Sequence, residues 1–354
     1  MKKISKIMSL VLAGVMVLSM TACGGNTAET TSAAAKSQET AADTASKAEE
    51  TTGAEASESE TAAKAEGTTY KIGVLQLVQH TALDAANDGF IAALDDAGIA
   101  YEVDQQNASG DQSACQTVAS KFANEKKDLI LAIATPAAQA MVGAVEDTPV
   151  LITAVTDPAE SGLVDTNEKP GANVTGTSDL TPVKEQIDLL KQLVPEAKTV
   201  GVLYCSAESN SKIQADMAKE AIAAAGMESK EYTVSSSNEI QTVVQSMVGK
   251  VDAIYAPTDN TIAAGMTTVG MVAGDNNLPV ICGESGMVDN GGLATYGIDY
   301  YQLGYMTGQQ AVRILTEGAS PADMPIEYLP VEKCELTVNE ETAATLGIDV
   351  SNLK

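Results

Sequence analysis

The strongest constraint on the fold is a pattern of short apolar runs that alternate with amphipathic stretches from residue 70 onward. Tyr70–Leu77, Lys126–Ala134 and Pro149–Val155 have the length and composition of buried strands, and His80–Ala97, which ends before Gly98, is typical of a helix. Buried apolar strands joined by helices predict a parallel sheet with helices on both faces. The expected fold class is therefore α/β.

The same pattern occurs a second time further along the chain. Three landmark residues recur 127, 123 and 130 positions downstream, in the pairs Lys71 and Lys198, Thr135 and Thr258, and Pro149 and Pro279. The nearly constant offset predicts two similar, doubly wound lobes. The alternative is chance, because buried parallel strands resemble one another in composition.

The last part of the chain departs from a simple tandem repeat. It contains two further expected strands and one helix, at Gly292–Asp299, Glu335–Val338 and Gln302–Glu317. We therefore expect the chain to return to the first lobe and finish in the second, through a hinge of several crossing segments that permits bending and opposes twisting. The predicted organisation is a leader at 1–22, an anchor and tether at 23–67, a first lobe at 68–178 and 292–322, and a second lobe at 179–291 and 323–354.

The N-terminus has the features of a secretion signal. Lysines precede the apolar stretch Ile7–Met20, and the small residues Thr21 and Ala22 precede Cys23. The segment Leu18-Ser-Met-Thr-Ala-Cys-Gly resembles a bacterial lipobox, which implies that Cys23 is diacylated and attaches the protein to the outer face of the cell membrane. The alternative is an ordinary secretion signal with a chance cysteine.

The segment after Cys23 is expected to be a flexible tether. Residues 25–67 contain no Leu, Ile, Val, Phe or Tyr, so no apolar face offsets the entropy of ordering the chain.

Charge and composition exclude several classes of function. From residue 68 onward the chain has 39 acidic and 15 basic side chains, so we expect no nucleic-acid partner. His80 is the single histidine, which excludes a His-rich metal site and weakens any triad hydrolase. We find no phosphate-binding loop or dinucleotide fingerprint, so the sequence predicts no metal, no cofactor and no catalytic residues.

Four cysteines remain in the body of the chain: Cys115, Cys205, Cys282 and Cys334. Their spacing matches no zinc motif. They can form disulfides or be isolated small buried residues, and the sequence does not decide between these alternatives.

Polar residues at the ends of the apolar strands are the candidate site. Ligands of parallel α/β sheets bind at the carboxyl ends of strands, and two facing lobes would place both sets of ends around one cleft. The residues at these ends are Gln76, His80, Thr135, Pro136, Thr156, Asp157, Glu208, Ser209, Asn210, Thr258, Asp259, Asn260, Glu284 and Asp299. All except Glu208 are predicted ligand-binding residues.

The chemistry of these residues favours a zwitterion. Thr135 and Pro136 are typical of a helix start, whose free amide groups favour a carboxylate. Several carboxylates are available for an ammonium group, although acidic residues also cap helices and turns: Asp157, Asp259, Glu284 and Asp299. An α-amino acid fits this combination better than a sugar or a phosphate.

Six segments carry a resemblance to a known family. They are Ile72-Gly-Val-Leu-Gln-Leu-Val-Gln-His-Thr-Ala-Leu-Asp-Ala-Ala, Ala132-Ile-Ala-Thr-Pro-Ala-Ala-Gln, Thr153-Ala-Val-Thr-Asp-Pro, Asn173-Val-Thr-Gly-Thr-Ser-Asp-Leu-Thr-Pro, Val251-Asp-Ala-Ile-Tyr-Ala-Pro-Thr-Asp-Asn and Tyr296-Gly-Ile-Asp-Tyr-Tyr. Together they resemble the ABC transporter substrate-binding lipoproteins of the tryptophan/tyrosine type. The resemblance covers residues 69–348 and implies a type I periplasmic-binding-protein fold, an ABC permease partner and an aromatic amino acid as ligand.

The resemblance also implies roles for individual residues. Thr135 and Thr156 match positions of hydroxyls near a ligand carboxylate, and Glu284, with Asp259, matches the partner of the ammonium group. Two positions depart from the family pattern: Cys205, where Asn is usual, and Gln79, where Glu is commoner.

The sequence thus predicts an anchored binding protein that closes over a small ligand for ABC import. The alternatives are a sensor module for a membrane receptor, a binder of a solute that is not an amino acid, and a surface hydrolase.

Overall fold

The computed structural model describes residues 67–353, which all belong to one compact unit, Glu60–Lys354. The predicted leader, the lipidation site at Cys23 and the tether up to residue 66 lie outside the described residues. Within the described part, no helix is long and apolar enough to cross a membrane.

The first lobe is built around a six-stranded parallel sheet with the order β11-β5-β4-β3-β1-β2. Its continuous part consists of β1 (Tyr70–Gln76), α1 (Thr81–Asp96), β2 (Tyr101–Asn107), α2 (Gln112–Glu125), β3 (Leu129–Ile133), α3 (Thr135–Val142), β4 (Val150–Val155) and β5 (Val174–Ser178). Two later elements complete it, α10 (Tyr300–Glu317) and β11 (Glu327–Tyr328).

The second lobe has a matching six-stranded sheet with the order β12-β10-β9-β8-β6-β7. Its strands run parallel except for β12, which pairs with β10 in the antiparallel sense. The elements are α4 (Val183–Leu193), β6 (Thr199–Cys205), α5 (Ser209–Ala224), β7 (Glu228–Val234), α6 (Ile240–Met247), β8 (Ala253–Ala256), α7 (Asn260–Ala264), α8 (Met266–Asp275), β9 (Val280–Cys282), α9 (Ser285–Asp289), β10 (Ala294–Gly297), β12 (Glu335–Val338) and α11 (Glu340–Leu346). Three short 3₁₀ turns occur at Ser237–Glu239, Pro321–Asp323 and Val331–Lys333.

These sheets confirm the prediction of two doubly wound α/β lobes. The inner strands are buried along nearly their whole length, as β3 and β4 are, because helices cover both faces. The edge strands β2 and β7 alternate charged, polar and half-buried side chains, which suits a strand with one unpaired side.

The chain crosses between the lobes three times; the first crossing follows residue 178, where the sequence predicted it, and the other two lie elsewhere than predicted. The predicted first-lobe segment 292–322 begins with β10, which instead lies in the second sheet, between β9 and β12. Likewise, β11 falls in the predicted second-lobe segment 323–354 but pairs with β5 of the first sheet. The crossings therefore follow β5, β10 and β11, because strand pairing rather than chain order decides which lobe holds each strand.

Helix α10 packs against α1 at very short range, which ties the returning segment to the first lobe. A Cβ atom at Gly304 would overlap the carbonyl oxygen of Ala86, and one at Gly89 would overlap the carbonyl oxygen of Tyr301. The absence of side chains at these glycines lets the two helix backbones touch. The contact fixes Tyr300, the first residue of α10, beside the crossing that follows β10.

We expect Gly304→Ala to lower the free energy of unfolding by about 1–3 kcal/mol, because the added methyl group must push α10 away from α1. The matched control is Gly274→Ala in α8, where a Cβ atom meets nothing within 4 Å. This change is expected to be neutral or stabilising by up to about 1 kcal/mol. Urea unfolding of both variants measures the difference, and equal stabilities would contradict the close packing described.

Candidate functional site

The carboxyl ends of the two sheets face each other across a closed cleft. The Nε2 atom of His80, from the first lobe, lies 3.3 Å from Oδ1 of Asn260 in the second. The Nε2 atom of Gln112 donates to the carbonyl oxygen of Ala207 at 2.9 Å, also across the cleft. The loops that follow the strands therefore enclose a space between the lobes.

A narrow cavity of about 10 Å³ lies at this interface. This is room for roughly one water molecule, so a larger ligand can enter only if the lobes move apart. Residues of both lobes and of the crossing segments line it: His80, Leu83, Ala154, Asp179, Asn210, Thr258, Asp259, Asn260, Ala263, Glu284 and Tyr300.

Three buried carboxyl groups face this cavity. Asp179, Asp259 and Glu284 are each at most 5% exposed. Burial raises the pKa of Asp179 to about 6 and the pKa values of Asp259 and Glu284 to about 7, since the charged form loses its hydration. No salt bridge among the described residues involves any of the three. Their ionised forms are therefore disfavoured in the closed arrangement of the lobes.

Two of these carboxylates are held by the backbone of their own loops. Asp259 caps α7, where it accepts a hydrogen bond from the amide of Ile262 at 2.7 Å and another from the amide of Cys205 at 2.5 Å. Glu284 accepts one from the amide of Gly286 at 2.5 Å at the start of α9. These bonds fix the positions of the carboxylates but supply no positive charge.

Only one of the two carboxylate oxygens of Asp179 has a hydrogen-bond partner. Its Oδ2 atom accepts a hydrogen bond from the hydroxyl of Tyr300 at 2.9 Å, whereas Oδ1 is buried without a partner. Both residues stand at crossings between the lobes, since Asp179 follows β5 and Tyr300 begins α10. The site thus includes the hinge itself.

The other unpartnered polar atoms at the cavity are also acceptors. Asn210 donates through Nδ2 to the carbonyl oxygen of Thr258 at 3.2 Å, which leaves its buried Oδ1 atom free. The side chain of Asn260 donates to Glu208 at 2.6 Å, so its Oδ1 accepts and Nε2 of His80 is the donor. Burial lowers the pKa of His80, and in the neutral ring the unpartnered Nδ1 is then an acceptor. The cavity therefore lacks hydrogen-bond donors for its own acceptors.

The carboxylate of Glu208 makes its hydrogen bonds within the second lobe. Its carboxylate accepts hydrogen bonds from the amide and side chain of Asn260, at 3.2 and 2.6 Å, and from the amide and hydroxyl of Thr261, at 2.9 and 2.8 Å. It anchors the start of α7 and adds negative charge behind the cavity.

Hydrogen-bond donors are available at the strand ends of the first lobe. Thr135, at the start of α3, is buried and its hydroxyl has no partner. The first amide groups of a helix also lack intrahelical acceptors. Ala134 and Ala154, next to these strand ends, have positive φ angles of 82° and 55°, a strained conformation that occurs often at binding sites.

The predicted site residues fall into two groups. Six line the closed cavity: His80, Asn210, Thr258, Asp259, Asn260 and Glu284. Seven lie outside its lining: Gln76, Thr135, Pro136, Thr156, Asp157, Ser209 and Asp299.

Most residues of the second group have local structural partners. Gln76 donates to Asp84 at 2.6 Å, Asp157 accepts from the amide of Glu160 at 3.1 Å, and Asp299 caps α10 at the amide of Gln302, also at 3.1 Å. The strand-end rule identifies the correct edge of each sheet, but it does not say which way a side chain points.

The sequence interpretation missed Asp179, Tyr300 and the apolar lining residues Leu83, Ala154 and Ala263. A signal for Asp179 was present, since it directly follows the Val-Thr-Gly-Thr-Ser run that forms β5. The sequence pattern alone does not reveal Tyr300. Only the pairing of β10 with the second sheet shows that the chain crosses between the lobes just before α10, which begins at Tyr300.

All four cysteines of the body are free in the structure, and Cys115, Cys205 and Cys282 are buried. Cys205 ends β6, and burial raises its pKa, so the thiol is neutral. Among the described residues, no group of three or more His, Cys, Asp or Glu could hold a metal ion.

Comparison with known proteins identifies relatives of the whole described region. The Tyrosine-binding protein of Clostridioides difficile is 42% identical over 354 residues, which cover 98% of this chain and 94% of that protein. An ABC domain from Streptococcus pneumoniae, solved in complex with L-Trp, is 40% identical with a TM-score of 0.77 and covers 80% of this chain and 96% of its own.

A third relative is a substrate binding protein with adhesive properties from Clostridium difficile, solved in a ligand-free, open form. It is 46% identical and covers 81% of this chain and 97% of its own, but its TM-score is only 0.62. The present structure thus superposes better on the L-Trp complex than on the open form, in agreement with its interlobe contacts.

A family model described as "ABC transporter substrate binding protein" matches residues 71–353. This match spans both lobes and all three crossings. The chain therefore belongs to the family of ABC transporter substrate-binding proteins.

Proposed function

We propose that this protein captures a single aromatic amino acid between its lobes and delivers it to an ABC import permease. The observation that carries the proposal is the chemistry of the closed cavity. It holds three buried carboxyl groups and further unpaired acceptors, and no cation of the described residues faces them.

A ligand with an ammonium group fits this surplus of acceptors. Such a group provides three N–H donors and one positive charge, which match Glu284, the free Oδ1 atom of Asp179 and the other acceptors. A neutral sugar would leave the charges of these carboxylates uncompensated in a dry site.

The carboxylate of the ligand would bind at the opposite edge of the cavity. Thr135 offers a buried hydroxyl without a partner, and the start of α3 adds free amide groups and the positive end of a helix dipole. A carboxylate there would lie away from the acidic residues of the second lobe. This separation of donors and acceptors supports a zwitterionic ligand.

The side chain of the ligand would contact the apolar part of the lining. Leu83, Ala154, Ala263 and the ring of Tyr300 provide this surface, which a ring would reach once the lobes move apart. The bound L-Trp in one relative and the name of another, Tyrosine-binding protein, support an aromatic side chain.

Ligand binding and closure are coupled through the same carboxylates. In an open cleft, water solvates Asp179 and Glu284, and closing the empty cleft removes that water without providing a counter-charge. The ammonium group of the ligand supplies the counter-charge, so the closed arrangement is stabilised mainly when ligand is present.

The proposal is of a receptor rather than an enzyme. The family match supports it, and so does the chemistry of His80, whose donor is directed at Asn260 instead of at a nucleophile. From the sequence alone we also propose that Cys23 is lipidated, that the tether holds the lobes near the membrane and that the partner is an ABC permease.

We expect L-tyrosine, L-tryptophan or L-phenylalanine to raise the melting temperature of the purified protein, by about 5 °C or more at a hundredfold excess over Kd. A thermal-shift screen of amino acids, sugars, nucleosides and short peptides measures this, and mass spectrometry of the released solute checks that it is unchanged. A shift with sugars or nucleosides and with no amino acid would refute the proposal.

We expect Glu284→Gln and Asp179→Asn each to weaken amino-acid binding by about 1–3 kcal/mol, since each removes a charged acceptor for the ammonium group. Protonation of the wild-type carboxyls, whose pKa values are about 6 to 7, competes with the ligand, so affinity should rise as pH increases from about 5 to 8. Titration calorimetry measures both effects.

The control variants are Glu220→Gln on the exposed face of α5 and Asp188→Asn on that of α4. Both are expected to bind as the wild type does at every pH. Equal binding by Glu284→Gln and Glu220→Gln would place the ammonium group elsewhere.

We expect Cys23→Ser to release the protein from the membrane fraction into the extracellular medium or soluble fraction, because the thiol that would carry the lipid is absent. Fractionation of expressing cells followed by immunoblotting measures the distribution, with Cys334→Ser as the control. Retention of Cys23→Ser in the membrane fraction would contradict lipid anchoring at this cysteine.

A further inference from the structure

A buried glutamine bridges the two lobes beside the cavity without lining it. Gln214, on α5 of the second lobe, is fully buried, and its Nε2 atom donates to the hydroxyl of Thr156 in the first lobe at 2.8 Å. The same amide group donates to the hydroxyl of Thr258, and its oxygen accepts from the amide of Thr258 at 3.3 Å. Neither Gln214 nor Thr156 is among the residues that line the cavity.

This bridge differs from the interlobe contacts at the rim of the cleft. Gln112 and Gln139 also reach across, to Ala207 and to Ser209, but both are exposed and can exchange their partners for water at little cost. The bond between Gln214 and Thr156 is buried at both ends. Breaking it inside a closed cleft would leave a buried donor and a buried acceptor without partners.

The bridge also reaches the hinge. The carbonyl oxygen of Thr156 accepts a hydrogen bond from the hydroxyl of Ser178 at 2.7 Å. Ser178 is the last residue of β5 and directly precedes Asp179. The second lobe is thus connected through Thr156 to the segment at the first crossing.

We propose that Gln214 is a positioning residue that fixes the closed arrangement of the lobes and does not select the ligand. Its side chain is held by Thr258 within its own lobe, so it is already oriented when the first lobe arrives. On closure, the hydroxyl of Thr156 exchanges a hydrogen bond from water for the hydrogen bond from Gln214. This role concerns closure itself and does not rest on which solute the protein carries.

The closed population is measured by cross-linking without added solute. In a background with Gln139→Cys and Ser209→Cys, a short bismaleimide joins the lobes only when they close, because these exposed side chains meet across the cleft at 3.3 Å. The cross-linking rate is compared between Gln214→Met and the matched control Gln310→Met. Gln310 is also fully buried, but it bonds only within the first lobe, to the carbonyl oxygen of Gly176 at 3.1 Å.

We expect the cross-linking rate to fall about tenfold in Gln214→Met and to stay within about twofold of the parent in Gln310→Met. Thr156→Val removes the same hydrogen bond from the other lobe and should have the same effect. Combining it with Gln214→Met should slow the reaction no further, because the two variants break one interaction. Thr156→Val also provides the test if Gln214→Met does not fold.

A second measurement separates positioning from ligand contact. Calorimetry with L-tyrosine and L-tryptophan should show that Gln214→Met weakens the binding of both by the same factor, and stopped-flow measurements should show faster dissociation of both. Equal cross-linking rates in Gln214→Met and Gln310→Met would overturn the proposal, as would an altered ratio of the two affinities. If the wild type binds neither amino acid, the proposed function fails, and the cross-linking rates alone decide the role of Gln214.

Discussion

The closed arrangement depends on three buried carboxyl groups that have no counter-charge among residues 67–353. Asp179, Asp259 and Glu284 face one cavity, and Glu208 stands directly behind it. A protein interior tolerates such groups only when they are protonated or when a cation joins them. Asp259 and Glu284 follow neighbouring strands of the second sheet, and Asp179 joins them from the first crossing. The ammonium group of the proposed ligand would supply the missing positive charge.

The scaffold places these groups with little freedom. Backbone amides hold Asp259 and Glu284 at the starts of α7 and α9, and the hydroxyl of Tyr300 holds Asp179. The glycine contact between α1 and α10 fixes the position of α10, which begins with Tyr300. The carboxyl groups of the cavity, the crossing segments and this helix packing are therefore in direct contact with one another.

The sequence predicted most of the architecture because its signals are local. Apolar runs specify buried strands, their repetition specifies two lobes, and Gly98 marks the end of a helix that the structure ends at Asp96. It did not predict the second and third crossings, since β10 and β11 are short and only pairing assigns them to a sheet. For the site, strand ends identified the right edges, but Asp157 and Asp299 are used as caps, whereas Asp179 was overlooked. Side-chain direction and interlobe partners, such as Gln214 with Thr156, depend on tertiary packing and leave no local trace.

The three crossings have a consequence for what the molecule displays to its surroundings. Three connecting segments between the two lobes restrict their relative motion essentially to bending about one hinge axis, which is described by a single angle. Under the proposed function, the size of the bound amino acid would set that angle, and the outer faces of both lobes would turn with it. A larger ligand would leave the lobes further apart than a smaller one, so the outer surface of the protein would differ with the ligand bound.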